Sequence, residues 1–199
     1  MTRKKVFIVA AKRTAIGKFG GSLVDVGPAD LAIYTAKGAI ASAGKDITSA
    51  INEVIIGNVL GAGHGMNVAR QICIGSGLPI TVPSYTVNKV CGSGLKAVTL
   101  GANEICCGEA NLILAGGSES MSQACFVSKG MRWGAKLGNT EFQDLILQDG
   151  LTDVFNKYHM GITAEHLATK FNISREDQDQ YALESQRRAI KAIEAGHFK

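Results

Sequence analysis

The stretch SYTVNKVCGSGLKAVTLGANEICCGEANLILAGG, Ser84 to Gly117, decides the fold. Ser84 to Val90 is rich in β-branched and aromatic residues and reads as a strand. From Gly92 onward Leu95, Val98, Ala102, Ile105 and Cys106 recur on one helical face, and NLILAGG from Asn111 reads as the next strand. Two strands joined through a helix lie parallel. The same alternation extends N-terminally. EVIIGNVL from Glu53 reads as a strand, and Asn67 can cap a short helix, Val68 to Ile74, that Gly75, Gly77 and Pro79 break. Earlier still, VFIVA, Val6 to Ala10, is an unbroken apolar run that predicts a strand covered on both faces. A glycine-rich loop through Gly17, Gly20 and Gly21 follows. Pro28 then suits a first helical turn, with Leu31, Tyr34, Gly38 and Ala41 at helical spacing until Gly44. The expected class is α/β, with a mostly parallel central sheet between helices.

Past Gly117 the pattern changes. Ser118 to Gly150 is long, irregular and glycine-punctuated, which puts a boundary near Met121. Two helices are expected beyond it, Thr163 to Phe171 and one opened by a Ser174–Asp177 capping box before Tyr181, Ser185, Ala189 and Ile193. The chain ends at GHFK with no closing strand, and these helices have apolar faces without a sheet of their own, an ending that reads as cut off.

Composition narrows the function. With 199 residues, 46% apolar, and 24 glycines against 3 prolines, the chain is globular rather than disordered. Its net charge of +4 is spread along the sequence and is too small for a nucleic-acid footprint on its own, so nucleic acid is not an expected partner. No apolar run approaches the roughly 18 residues of a membrane span, and Met1 to Lys5 lead into a strand-like segment without a signal-peptide core. A cytoplasmic protein with no membrane partner is expected. The five cysteines, Cys73, Cys91, Cys106, Cys107 and Cys125, show no zinc-ligand spacing and read as reduced thiols, most of them buried small residues.

Cys91 differs from the others by its place, between a strand and a glycine-spaced helix. Such a turn exposes a side chain beside the first amides of a helix, which favours a thiolate, and Gly92 and Gly94 leave room for a substrate carbonyl. A thiolate is a natural acceptor for an acyl group arriving as a thioester. The bland reading is a small buried residue at a crowded helix start. A rival reading takes GSGLKA, Gly92 to Ala97, as a dinucleotide-binding turn, although the next strand ends in glycine and the nearest acid is Glu119.

VNKVCGSGLKAV around Cys91 resembles the acyl-cysteine signature of the thiolases. VFIVAAKRTAIGKFGG, GNVLGAGHGMNVARQ, AGGSESMS and DGLTDVFNKYHMGITAEHLA resemble thiolase segments in the same order, so the likeness covers essentially the whole chain. Ala15 and Val68 stand where the family often has proline. The resemblance implies a layered αβα half, with residues 1–121 as the N-terminal domain and 122–199 as the first part of a covering loop domain. It implies acetyl-CoA C-acetyltransferase chemistry: Cys91 takes an acetyl group, CoA leaves, and a second acetyl-CoA attacks to give acetoacetyl-CoA, or the reverse. No cofactor is permanently bound, CoA thioesters being the substrates. Leu151, His159 and Met160 would line the pocket for the pantetheine end of CoA. His64, His166 and His197 read as solvated or structural. Lys129, Arg132 and Lys136 form a cationic stretch near which CoA's phosphorylated end would lie, and a homotetramer, a dimer of dimers, is implied. Family members are about twice as long, and their GHP histidine, CxG cysteine and NEAF-like asparagine have no counterpart here. The chain therefore resembles an N-terminal half without the C-terminal domain, lacking turnover unless another polypeptide supplies the rest. A decarboxylating condensing enzyme of the ketoacyl synthase kind, a nicotinamide-dependent oxidoreductase and a non-catalytic fragment are the alternatives.

Overall fold

The strands β1 (Glu53–Gly57), β2 (Ser84–Val87) and β3 (Ile113–Gly117) form a parallel sheet in the order β2-β1-β3, with Ile55 opposite Tyr85 on one side and Ala115 on the other. The computed structural model describes residues 4–44 and 46–198. Helix α1 (Pro28–Ser42) precedes the sheet, α2 (Val68–Gly75) connects β1 to β2, and α3 (Ser93–Cys107) connects β2 to β3. The two crossovers run in opposite directions across β1, and connections of one hand then place their helices on opposite faces.

Alternation along β1 assigns the two faces. Val54 and Ile56 join Ala32, Ala36, Val68, Ala69, Ile72 and Cys73 in the main core under α1 and α2. Glu53, Ile55 and Gly57 face α3. The helices lie close to one another and to the sheet because the residues between them are small. A Cβ on Gly75 would meet Ile33 Cδ1 at 2.3 Å, and one on Gly101 would meet Ile113 Cγ2 at 3.1 Å. Asn67 caps α2 as the sequence suggests, its side chain accepting from the Arg70 N–H. Arg70 in turn donates to the Ile80 and Val82 carbonyls at 2.7 and 2.6 Å, holding the entry to β2.

The fold class is the expected one; several details are not. VFIVA forms no strand. Phe7 and Ile8 are 75% and 79% exposed, and the sheet of described residues ends at β2 and β3 without pairing with this run. An apolar run becomes a strand only where a ladder partner lies beside it. The helical faces also differ from those read from large apolar residues. In α1 the buried stripe is Pro28, Ala32 and Ala36, leaving Tyr34 exposed; in α3 it is Ser93, Ala97 and Gly101, leaving Leu95 exposed. Only Cys73 is a buried cysteine: Cys106 and Cys125 are half-buried, and Cys91 and Cys107 are exposed.

The chain divides into two compact units, one running to Gly150 and one starting at Leu151. The irregular segment after Met121 thus stays with the sheet unit, because it is tied back at several points. Ser122 accepts from the Gly20 N–H and the Cys125 thiol donates to the Ala62 carbonyl, while within the segment β4 (Phe126–Val127) pairs antiparallel with β5 (Gln143–Asp144). The second unit contains α4 (Met160–Phe171) and α5 (Arg175–Glu194). The former starts three residues before the expected Thr163, with His159 as its cap. The latter carries the Ser174–Asp177 capping box in full.

Candidate active site

Cys91 lies between the end of β2 and the start of α3, at the carboxyl edge of the sheet, where open parallel sheets place their ligands. Three glycines put α3 there. A Cβ on Gly57 would stand 2.3 Å from the Ser93 carbonyl carbon, and one on Gly117 would stand 2.8 Å from Gly94 Cα. The first turn of α3 therefore rests directly on the last residues of β1 and β3. No side chain separates them.

The turn before the helix is tightly specified. Strand β2 stops at Val87 rather than continuing to Val90. The Gly92 N–H donates to the Lys89 carbonyl at 3.1 Å, closing a turn with Val90 and Cys91 at its centre. Val90 has φ 49°, left-handed backbone that a β-branched residue adopts at a cost of about 1–3 kcal/mol. Among the described residues, positive φ falls on Val90 and not on Cys91, and glycine is the residue that takes such backbone without strain. The Asn88 side chain accepts the Val90 N–H at 2.9 Å. The sequence reading placed the sulfur beside the first free amides of the helix. Those of Gly92 and Ser93 are occupied, by the Lys89 and Val90 carbonyls.

The loops at the same edge of the sheet are tied together by Glu119, which the sequence alone offers only as the nearest acid for the dinucleotide reading. Its carboxylate accepts from Asn58 Nδ2, the Val59 N–H and the Leu60 N–H, all within 3.0 Å, and Asn58 Nδ2 also donates to the Ser118 carbonyl. This ties the loop after β1 to the loop after β3. The acid's occupation by these donors also weakens the dinucleotide reading, in which it would have to meet a ribose. An open cavity of about 160 Å³ adjoins these strand ends on the α1 side, lined in part by Lys12, Arg13, Thr35, Ser118 and Glu119. Cys91 is not among its lining residues.

At the other edge of the sheet, Tyr85 donates to Glu104 at 3.0 Å. Glu53 is pushed up to about 7, first by burial, then by its hydrogen bond with Glu104 and by the charges of Glu104 and Glu109. Tyr85 is raised to about 12, again first by burial.

The three other predicted site residues belong to the second unit. Thr152 pairs with His159 across a tight loop in which the Asp153 N–H donates to the Tyr158 carbonyl, and this brings Leu151 close to His159 and Met160. His159 Nδ1 accepts the Gly161 N–H at 2.9 Å, so the ring proton sits on Nε2. His159 is exposed, Met160 is 39% exposed and Leu151 is half-buried. His166 packs edge-on against Tyr158, with ring centroids 5.3 Å apart. Lys129, Arg132 and Lys136 are all exposed, in the first unit.

Of the residues that shape the Cys91 turn, Ser93, Asn88, Gly57 and Gly117 were not singled out from the sequence. The available signals were local: an asparagine two residues before a turn centre, and strands ending in glycine.

A family model described as the thiolase N-terminal domain matches residues 6–199. An acetyl-CoA acetyltransferase of Pseudomonas aeruginosa is 50% identical over 98% of this chain and 49% of its own length. One of Cupriavidus necator is 50% identical over 97% of the chain and 49% of its own length. A probable acetyl-CoA acyltransferase of Staphylococcus aureus is 50% identical over the full chain and 50% of its own length. The chain spans about half the length of the relatives it matches.

Proposed function

Because the chain belongs to the thiolase family through its N-terminal domain, we propose that it forms half of an acetyl-CoA C-acetyltransferase whose acyl group is carried on Cys91. The observation that carries this reading is an exposed cysteine on a hydrogen-bonded strand-to-helix turn inside the matched domain. In the first half-reaction Cys91 Sγ attacks the thioester carbonyl of acetyl-CoA. The tetrahedral oxyanion is met by the Cys91 backbone N–H, and CoA leaves as its thiolate to give acetyl-Cys91. A second acetyl-CoA then loses an α-proton, and its enolate carbon attacks the acetyl carbonyl. Acetoacetyl-CoA departs and the thiolate is restored. The family's GHP histidine, which activates the nucleophile, and its CxG cysteine, which moves the α-proton, have no counterpart in this sequence, so turnover requires a second polypeptide or segment carrying them.

Leu151, His159 and Met160 contact the pantetheine arm, and the cationic stretch Lys129, Arg132 and Lys136 steers the phosphorylated end of CoA. Residues 1–121 act as the nucleophile domain and 122–199 as the first part of the covering domain, although residues 122–150 group with the sheet unit. The assembly is a homotetramer in the cytoplasm, with no permanently bound cofactor. The test supplies the C-terminal half of a relative as a separate chain and follows product by mass spectrometry. Acetoacetyl-CoA forms from acetyl-CoA alone and is lost in Cys91→Ala. Product that appears only with a malonyl thioester assigns the chain to the decarboxylating condensing enzymes instead, and product that survives Cys91→Ala refutes the acyl-cysteine.

A further inference from the structure

Val90 stands in left-handed backbone with φ 49°, yet its own side chain is 47% exposed, so packing does not force it there. What holds the turn is hydrogen bonding, and most of it converges on one residue. The Ser93 hydroxyl donates to the Val90 carbonyl at 2.6 Å and accepts the Lys89 N–H at 2.7 Å, while the Ser93 N–H also donates to the Val90 carbonyl at 3.0 Å. A serine serving as a helix cap accepts from amides two or three residues ahead of it. Ser93 does the opposite. It is the first residue of α3, and its hydroxyl reaches back three and four residues into the turn. It is also 4% exposed, and its backbone is pressed onto Gly57, so the staple is seated on the sheet rather than floating with the loop.

We infer that Ser93 is a positioning residue for Cys91: its hydroxyl clamps Lys89 and Val90 into the strained turn that presents the sulfur at the start of α3. This rests on the reading of Cys91 as the acyl acceptor. The clamp acts on the residue before the nucleophile, so its loss lets Val90 relax to negative φ and swings Cys91 away from the position in which the turn presents it at the carboxyl edge of the sheet.

A comparison within one molecule tests this. Cys107 is also exposed but is the last residue of α3, so it serves as an internal reference. Limiting iodoacetamide and peptide mass mapping give the ratio of alkylation rates, Cys91 over Cys107, between pH 6 and 9 in about half-unit steps, with far-UV circular dichroism as the check on folding. Cys91 reacts faster in the unmodified chain. Ser93→Ala lowers the ratio about tenfold, the weight of one to two hydrogen bonds. In a Val90→Gly background the same substitution lowers it about twofold or less, because glycine takes the left-handed conformation without a clamp. If Ser93→Ala alone does not fold, the double variant against Val90→Gly carries the comparison, and a tenfold loss there overturns the inference. An unchanged ratio in Ser93→Ala, or an equal loss in both backgrounds, also overturns it while leaving Cys91 as nucleophile. If Cys91 of the unmodified chain reacts no faster than Cys107, the acyl-acceptor reading falls and the positioning role falls with it.

Discussion

Replacing Gly57 by alanine perturbs the site without touching Cys91. The added Cβ would lie 2.3 Å from the Ser93 carbonyl carbon, 2.4 Å from the Gly94 nitrogen and 2.5 Å from the Ser93 oxygen. All three are backbone atoms, so no side chain can rotate away. Restoring ordinary van der Waals separation requires the first turn of α3 to withdraw by about 1 Å or more, at the 1–3 kcal/mol scale of overpacked interiors. The same shift carries the Cys91 turn with it, and a displacement of about 1 Å at a reacting group can lower its rate by about a hundredfold. Gly116→Ala is the control. Gly116 pairs with Ile56 in the same sheet, but a Cβ there meets nothing within 4 Å. Urea unfolding followed by circular dichroism should show Gly57→Ala less stable than Gly116→Ala, with Cys91 alkylation slowed only in the former. Equal stability and equal Cys91 reactivity in the two variants would refute the claim that strand-end glycines seat the helix.

Three further outcomes are expected. Glu53 is raised from an ordinary 4.5 to about 7 in the folded chain, with Glu104, Glu109 and Tyr85 as its neighbours, so the folded state holds the extra proton. Its contribution to stability is full below about 4.5 and is lost as pH rises to about 7. Glu53→Gln should flatten that part of the stability profile in urea titrations, by less than about 1 kcal/mol because solvent screens the group; an unaltered slope would remove Glu53 from the cause. His159→Ala should weaken CoA binding and cost α4 about 1 kcal/mol for its lost cap. His159→Asn keeps a capping oxygen and should recover the stability without the affinity, so wild-type affinity in that variant would retire the pocket role. Neutralising Lys129, Arg132 and Lys136 together should weaken CoA binding at low ionic strength, with the difference fading near 0.15 M salt, where screening acts over about 8 Å. Calorimetry showing the same affinity at low salt would end the steering proposal.

What the sequence could and could not disclose follows from which physical quantities are local. The strand after Glu53, the cap at Asn67, the proline start of α1 and the Ser174–Asp177 box depend on neighbouring residues, and all are present. Helix faces are not local. Large apolar residues suggested one face for α3, whereas the sheet took the face of Ser93, Ala97 and Gly101, because backbones that approach closely need small residues between them. VFIVA has the composition of a strand and lacks a ladder partner among the described residues, which no pattern within those five residues could disclose. At the site, the position of Cys91 between strand and helix was legible. Its support was not: Gly57 and Gly117 meet α3 only through tertiary packing, and the clamp made by Ser93 depends on the φ of Val90.

The most direct test of the chain's chemistry is a single-turnover acetylation. Acetyl-labelled acetyl-CoA is mixed with an equal amount of the chain, quenched, digested and mapped by mass. The label should appear on the peptide containing Cys91, be released by hydroxylamine as a thioester requires, and be absent in Cys91→Ala. Label on Cys106, Cys107 or Cys125 instead, or label that persists at the same level in Cys91→Ala, would contradict the assignment of this sulfur as the acyl carrier.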